Sequence, residues 1–457
     1  MSPSPLRWHR VVPLTCLLGA CTAPEPELPV DRASGFDRLE IPRPEARQRA
    51  LMAEEAPAWE LREASRARFV EAALEAHPDL RAQFASWQAA MEEQAIVGAL
   101  PAPQLRFTEF VEEVQTRTGP QQRRLGVSQR FPWPGVLDAR QEQADARARA
   151  MSYAVAELAL QIVRRVELAY DEYAYLARDR QVLLDLLDLL KTLEPIVQAR
   201  VRAGASQEDL LRLQIEIGRV EDDLAANRAQ RRAQFAELLE AVGRDEPIEE
   251  LPELTLKEAQ PRRIDREEVL RRVIEQSPTL ARWEALYEAA LAEVRVDGYS
   301  RKPSFVLGAE TILTGDAPVA GVPGSGDDPW MVSIGIELPI WGASYDASAR
   351  QARHRVAEAR ARWESATLKL RTQVERFAFR EEDAARRIAL YQDSLLPRAE
   401  EVVQLALARY RAGEAAALDW IDAQRTLLAL RRAYWRAQLD HQLAQVELRA
   451  LTAERLP

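Results

Sequence analysis

Hydrophobic and polar positions alternate with a period of two in one short stretch of a chain that otherwise follows a helical pattern. The positions that share the apolar face are Trp330, Val332, Ile334, Ile336, Leu338 and Ile340. Ser333, Gly335 and Glu337 fall on the other face, and the stretch stops at Pro339 and Gly342. An apolar face of about ten residues with an aromatic residue at each end is typical of a transmembrane β-strand. A strand buried in a β-sandwich is the alternative.

Three further strands are expected. One starts at Pro303, and its apolar positions are Phe305, Leu307, Ala309 and Leu313. The other two form a hairpin in the first half of the chain, in the sequences QLRFTEFVEEV and RLGVSQRFPWPG. This hairpin is less apolar, because Glu109 shares a face with Leu105 and Phe107, and the partner strand carries Arg124 and Arg130.

Four strands are too few to cross a membrane alone. Lipid tolerates no open sheet edge, so spanning strands must close into a barrel, and known barrels have at least about eight strands. The chain can therefore span only as an oligomer: two subunits would give about eight strands and three about twelve.

Long helices are predicted between the strands and the next glycines. No glycine occurs between Gly135 and Gly204 or between Gly342 and Gly413, intervals of 68 and 70 residues rich in Ala, Arg, Glu and Leu. At about 1.5 Å per residue, each interval could form a rod on the order of 100 Å long. Pro195 and Pro397 interrupt these intervals.

Shorter helices are expected on either side of each strand pair and rod. Helical segments precede the strands at 67–100 and 265–298. After the turn at Gly204, apolar residues spaced three and four apart form a coiled-coil seam. The seam consists of Leu210, Leu213, Ile217, Val220 and Leu224, falters near Asn227, and resumes at Phe235, Leu238 and Val242.

The two halves of the chain carry the same motifs in the same order. HPDL at His77 and SPTL at Ser277 lie 200 residues apart, and RVRAG at Arg200 and RYRAG at Arg409 lie 209 apart. This is the signature of a duplication of about 200 residues. The predicted segments are a signal peptide (1–20), a lipidated N-terminal segment (21–65), a first repeat (66–243), a connector (244–264) that contains the paired acids Glu249 and Glu250, and a second repeat (265–457).

The N-terminus is predicted to be an export signal. Arg7 and Arg10 precede a short apolar run that ends in Leu18-Gly19-Ala20-Cys21, which resembles the lipobox of bacterial lipoproteins. Such a site would leave Cys21 carrying lipid, and Thr22 would imply sorting to the outer membrane. An ordinary signal with an incidental cysteine is the alternative. With Cys16 inside the signal, no disulfide framework is expected.

Charge and composition exclude some partners. The formal charge of -10 and the pI near 5.3 provide no basic field for a phosphate backbone, so nucleic acid is not expected as a partner. A hydrophobic content of 47% with 29% charged residues is that of an ordered protein.

The motifs GVSQRFPWPG, RVRAGASQEDLLRLQ and RYRAGEAAALDWIDAQ, within a duplicated architecture, resemble the TolC-like outer-membrane efflux proteins. The Phe-Pro-Trp-Pro-Gly wording is most similar to members that serve heavy-metal efflux pumps. The resemblance implies a mainly α fold with a transmembrane β element: a homotrimer with a twelve-stranded barrel in the outer membrane on a long α-helical barrel in the periplasm. It further implies docking on a periplasmic adaptor and an inner-membrane transporter, with no chemistry of its own.

The resemblance also implies site residues. The hairpin tips that meet the adaptor in this family match Arg202, Gly204 and Ser206 in the first repeat and Arg411, Gly413 and Ala415 in the second. The carboxylates that constrict the pore match Asp419 and Asp422. Because these two residues are three apart, they share a helix face, and threefold repetition would make two rings of negative charge that favour cations.

A latch on the closed state is one further hypothesis. With one residue inserted after the tip, Asp209 and Arg212 match Asp419 and Asp422, and Arg212 could pair with either carboxylate on a neighbouring hairpin. The alternative is that all four residues lie on a solvated flank of a coiled coil.

Sequence motifs for catalysis, metal or cofactor binding are not seen. The four histidines are scattered, and GVPGSGDD at Gly321 lacks the Lys-Ser/Thr of a phosphate loop. An enzyme is therefore not expected. The main alternative to a channel is a lipid-anchored periplasmic helical scaffold or the adaptor itself. The transported substrate is not encoded in any motif of the chain.

Overall fold

The computed structural model describes residues 65–204, 206–248, 250–259 and 264–453, and the predicted signal peptide and Cys21 lie outside these ranges. The first half contains α1 (Arg66–Ala76), α2 (Pro78–Gly98), β1 (Gln104–Thr116), β2 (Gly119–Phe131), α3 (Val136–Arg202) and α4 (Gln207–Val242). The second half contains α5 (Arg266–Gln276), α6 (Pro278–Tyr299), β3 (Ser304–Thr314), β4 (Trp330–Glu337), α7 (Gly342–Leu390), α8 (Leu396–Ala412) and α9 (Ala417–Thr452). The two halves thus share one element order up to the second rod, where a short π-helical segment separates α7 from α8.

The helical segment before each strand pair is two helices, where the sequence pattern suggested one. The breaks fall at Pro78 and Pro278, each the first residue of the second helix. Proline has no N–H to continue the helix and keeps the preceding residue out of the helical region. His77 and Ser277 accordingly have ψ angles of 124° and 119°.

The four strands form one antiparallel sheet in the order β1-β2-β3-β4. The central pairing joins the two halves of the chain, with Phe131 opposite Phe305 and Val127 opposite Ala309. Within the described residues, β1 and β4 each pair on one side only. Strand β4 ends at Glu337, earlier than the alternation suggested, because Pro339 cannot donate a ladder hydrogen bond.

One face of the sheet is apolar on all four strands, and the predicted alternation is confirmed. Exposed apolar side chains on this face are Leu105, Phe107, Leu125, Val127, Leu307, Trp330, Val332, Ile334 and Ile336, of which Val332 is 83% exposed. Glu109, which made the first hairpin less apolar, lies opposite Arg123 on this face, with Arg123 Nε 3.0 Å from Glu109 Oε2. Arg124 and Arg130 lie on the other face of the sheet.

The two rods differ at their prolines. Helix α3 continues through Pro195 for 67 residues. The second rod is interrupted just before Pro397 by a π-helical segment, Tyr391–Leu395, in which the Leu396 N–H bonds to the Tyr391 carbonyl. A π segment accommodates an extra residue in the turn. The first rod is therefore one continuous helix, whereas the second is two helices joined by a π turn.

The largest apolar core lies where α1, α3, α4 and α9 meet. Tyr173 and Phe235 are buried there with ring centroids 5.4 Å apart, and the connector contributes buried Leu254 and Leu256. The Tyr173 hydroxyl donates to the Pro252 carbonyl at 2.5 Å. The described part of the connector is therefore packed onto the helices along this stretch.

None of the helices in the described part of the chain is both long and apolar enough to cross a membrane.

Candidate functional site

The two helical hairpins end in tight glycine turns. Gly204 follows α3 with φ +104°, and Gly413 follows α8 with φ +82°, a backbone region that residues with a Cβ rarely enter. In the first tip the Ser206 hydroxyl accepts a hydrogen bond from the Glu208 N–H at 3.2 Å and caps α4. The described residues at both tips, including Arg202, are exposed or half-exposed, as adaptor contact would require.

Arg200 ties the two tips together. Its guanidinium donates to the Tyr410 carbonyl at 2.6 Å and to the Arg411 carbonyl at 2.7 Å. These are carbonyls at the C-terminal end of α8, where helical partners are missing and positive charge is favoured. The guanidinium also lies 4.4 Å from the centre of the buried Tyr410 ring. One arginine of the first hairpin therefore caps the last turn of α8 in the second.

The two predicted pore carboxylates lie on the first two turns of α9 and are both exposed. Asp422 accepts a hydrogen bond from Arg425, with Nη1 3.2 Å from Oδ1. Asp419 has no ion-pair partner among the described residues. Between them, Trp420 and Ile421 are buried against Leu213 of α4. Packing of this apolar side holds the two carboxylates on the opposite, accessible side of the helix.

Arg425 also binds a carboxylate on the other hairpin. Its Nη2 and Nε lie 2.5 Å and 3.0 Å from Oε2 of Glu216 on α4, and Glu216 is only 6% exposed. The hydrogen bond to Glu216 raises the pKa of Arg425 above its usual value. Arg425 therefore joins a buried carboxylate of one hairpin to a predicted pore carboxylate of the other.

The proposed latch residue has a partner in its own helix. Arg212 Nε lies 2.9 Å from Oε1 of Glu208 on the same face of α4. Asp209 is half-exposed and makes no ion pair among the described residues. Within one chain Arg212 is not paired with Asp419 or Asp422, and pairing across neighbouring subunits stays a prediction.

Further from the tips, arginines of α9 bind carboxylates of α3. Arg432 Nε and Nη2 lie 2.7 Å and 3.0 Å from the two oxygens of buried Asp179, and Asn227 donates to the same carboxylate at 3.3 Å. The seam that faltered at Asn227 is thus a buried polar junction between α3, α4 and α9. Such charge-assisted pairs fix the register between the two halves of the chain.

A buried acid, Asp171, lies on α3 beside the first residue of α1. Asp171 is 3% exposed, and Arg66 Nη1 lies 3.3 Å from its Oδ2. Burial raises the pKa of Asp171 to about 6, partly opposed by Arg66 and reinforced by Glu167. This carboxyl is outside the strands and remote in sequence from the tips.

Comparison with known proteins places this architecture. The family model described as outer membrane efflux protein matches residues 269–454.

These residues are therefore similar to outer membrane efflux proteins, and the rest of the chain lies outside that match.

Three solved structures share the fold over most of this chain. The outer-membrane channel OprN matches with a TM-score of 0.72 and 19% identity over 89% of this chain and 96% of that one. The outer membrane protein VceC from Vibrio cholerae matches with a TM-score of 0.69 and 19% identity over 86% of this chain and 97% of that one. The open state of the MtrE outer membrane channel from Neisseria gonorrhoeae matches with a TM-score of 0.69 and 20% identity over 86% of this chain and 89% of that one. No curated protein matches the sequence.

Two residues of the candidate site were not predicted from the sequence. Arg200 and Arg425 were not singled out, because their partners lie about 210 residues away in the chain. The repeat offset was a usable signal: Arg425 and Glu216 are 209 residues apart, the same offset as the two RAG motifs. Within the described ranges, no cluster of His, Cys, Asp and Glu could hold a metal ion.

Proposed function

We propose that the chain is the exit duct of a tripartite efflux or type I secretion system, conducting substrates from the periplasm across the outer membrane. The observation that carries this is the sheet, whose apolar face is exposed on all four strands and whose edge strands β1 and β4 lack a second partner among the described residues. In lipid an open edge leaves backbone groups unsatisfied, so β4 of one copy must pair with β1 of the next. The family match of residues 269–454 and the fold shared with the OprN channel support the same assignment.

The assembly proposed is a homotrimer. Three copies would supply about twelve strands, and the long rods would continue the barrel into the periplasm. The tips at Gly204 and Gly413, with Arg202, Ser206, Arg411 and Ala415, would contact a periplasmic adaptor that links the duct to an inner-membrane transporter. Cys21 would carry the lipid anchor. The chain would move solutes without catalysing a reaction.

The gate is proposed to lie just beyond the tips. Three copies of Asp419 and Asp422 would form two carboxylate rings, which favour cations and repel one another unless cations or arginines neutralise them. Arg425 already neutralises Asp422 within one chain. Arg212 of a neighbouring hairpin could act on Asp419, and an Arg212→Glu channel with unchanged conductance in bilayers would rule that latch out.

The deciding measurement is native mass spectrometry of unboiled protein extracted in detergent from an outer-membrane fraction, with lipid retained. Three copies, each acylated, are expected for the wild type. The Cys21→Ser variant should lose the lipid mass and remain a detergent-dependent trimer, because the strands hold it in the membrane. A Cys21→Ser monomer that is soluble without detergent would instead establish the periplasmic scaffold.

A further inference from the structure

The polar face of the sheet carries charged side chains in a fixed register. Along this face, strand pairing places Arg106 opposite Gly126, Gly126 opposite Glu310, and Arg130 opposite Val306. The charged residues on it are Arg106, Arg124, Arg130, Glu310 and Glu337. In the trimer proposed above, the apolar face meets lipid, so this polar face lines the lumen.

Two of the three arginines are paired with the two glutamates. Arg130 hydrogen-bonds Glu337, which also accepts from the Ser304 hydroxyl at 2.6 Å. Arg124 lies 3.9 Å from Glu310. Both pairs lie on strands β2, β3 and β4, and the charges within each pair cancel.

Arg106 is the cation left over. It is exposed on β1 and has no ion-pair partner in the described part of the chain. Its neighbour across the ladder is Gly126, so no side chain covers it from that side. A different pairing would not change the net charge of this face, because three arginines share it with two glutamates whichever of them pair.

Charges at the hairpin end do not cancel this excess. Beyond Glu109, the next acidic residues along β1 are Glu112 and Glu113, which lie in its irregular region between Glu109 and Val114. At about 3.3 Å per residue they lie roughly 20 Å along the strand, about two Debye lengths at physiological ionic strength. Arg123 and Glu109, which are nearer, form a pair on the opposite, apolar face.

We propose that Arg106 makes the lower part of the barrel, the end of the strands nearest the helices, a zone that prefers anions. This inference rests on the proposed function. Three copies place three uncompensated guanidinium groups on one level of the lumen wall. The duct then carries two zones of opposite sign, with carboxylates at the tips and arginines in the barrel. The solutes attracted to the second zone carry anionic groups such as carboxylates or phosphates.

The test is the ratio of potassium to chloride permeability, obtained from reversal potentials of single channels in a KCl gradient. Because the carboxylate rings would dominate this ratio, the measurement uses an Asp419→Asn/Asp422→Asn background. Removing three unit charges at a distance of about 10 Å should raise the ratio about twofold in Arg106→Gln. Arg106→Glu should raise it further, and Arg106→Lys should restore the starting value.

Arg117→Gln is the matched control. Arg117 lies exposed in the β1–β2 turn, so its loss changes the total charge equally without changing the lower lumen. An Arg106→Gln ratio equal to that of the background, or equal to that of Arg117→Gln, overturns the inference while leaving the channel intact. Absence of current from the wild-type protein overturns the proposed function and the inference together. Trimer content on unboiled gels establishes that each variant is assembled.

Discussion

Arg425 of α9 donates two hydrogen bonds to one oxygen of Glu216 on α4, at 2.5 Å and 3.0 Å. The same guanidinium binds Asp422 at 3.2 Å. Because Glu216 is buried and Asp422 is exposed, the arginine connects the packed interior of the hairpin pair to its accessible face.

Arg425→Gln should loosen this connection. It leaves Glu216 with only the more distant Arg219, at 3.6 Å, and leaves Asp422 without a partner among the described residues. We expect a loss of about 1–3 kcal/mol in hairpin stability, since Arg425 is itself partly exposed. In planar bilayers, mean conductance and preference for potassium over chloride should both rise, because Asp422 is no longer neutralised.

Arg431→Gln on the same helix provides the comparison for Arg425. Its partner Glu400 is exposed, and such surface pairs contribute about 0–1 kcal/mol. Equal conductance in Arg425→Gln, Arg431→Gln and the wild type would show that the Glu216 pair does not hold the gate.

Arg200→Gln should free the end of α8. Two charge-assisted hydrogen bonds to carbonyl oxygens, each worth about 1.5–3 kcal/mol at most, are lost. We expect amide hydrogen exchange from Tyr410 to Glu414 to accelerate by at least about tenfold, the effect of roughly 1.4 kcal/mol.

Arg409 is the repeat counterpart of Arg200, and its side chain makes no hydrogen bond or ion pair among the described residues, although its carbonyl accepts from the Glu414 N–H. Arg409→Gln should leave exchange at the tip unchanged. If both variants exchange alike, the carbonyl contacts of Arg200 do not stabilise the turn.

Glu109→Val should destabilise the assembled barrel. The change leaves Arg123 unpaired on the apolar face, where an arginine costs up to about 2–4 kcal/mol at the bilayer midplane and less near its surfaces. The temperature at which the proposed trimer dissociates on unboiled gels should fall.

The double variant Glu109→Val/Arg123→Leu removes both charges and should recover the wild-type dissociation temperature or exceed it. A double variant as unstable as Glu109→Val alone would mean that this face does not contact lipid.

Asp171→Asn should change how stability depends on pH. The folded pKa of about 6 lies above the ordinary value of 3.8, so the folded state holds the proton more tightly than the unfolded state does. The contribution of Asp171 to the free energy of unfolding therefore falls by about 3 kcal/mol as pH rises from about 4 to about 6. Across this pH range the stability of the variant should rise relative to that of the wild type. Above about pH 6 the difference should stay constant.

Helix unfolding followed by circular dichroism in detergent, from pH 4 to pH 8, measures this difference. Asp222→Asn, at an exposed position of α4, is the control for the loss of one carboxylate. A difference between Asp171→Asn and the wild type that does not change with pH would show that burial does not raise the pKa of Asp171.

Local pattern was sufficient to predict the parts of the fold that depend on nearby residues. The strands follow from alternation, and the tips follow from Gly204 and Gly413, which adopt positive φ. Proline was a weaker guide. Pro195 and Pro397 look alike in sequence, yet α3 passes through the first and a π turn precedes the second, because packing against other helices decides what a helix does at a proline.

The ion pairs of the site depend on register between distant segments. Exposure of Asp419 and Asp422 follows from their spacing beside the buried Trp420. The pairing of Arg425 with Glu216 requires α4 and α9 to be placed side by side, which no single helix specifies. The connector shows the same limit, since Leu254 and Leu256 of an acidic, proline-rich segment are buried.

The hydrogen bonds between β2 and β3 have a consequence for how a ring of chains can be completed. These hydrogen bonds join the two repeats within one polypeptide. Two separate single-repeat chains would have to associate to form the same strand pairing. A twelve-stranded barrel made from single repeats would need six molecules and six encounters. Fusing two repeats halves the number of molecules, and each remaining joint unites a first-repeat edge with a second-repeat edge, so every subunit has a leading side and a trailing side.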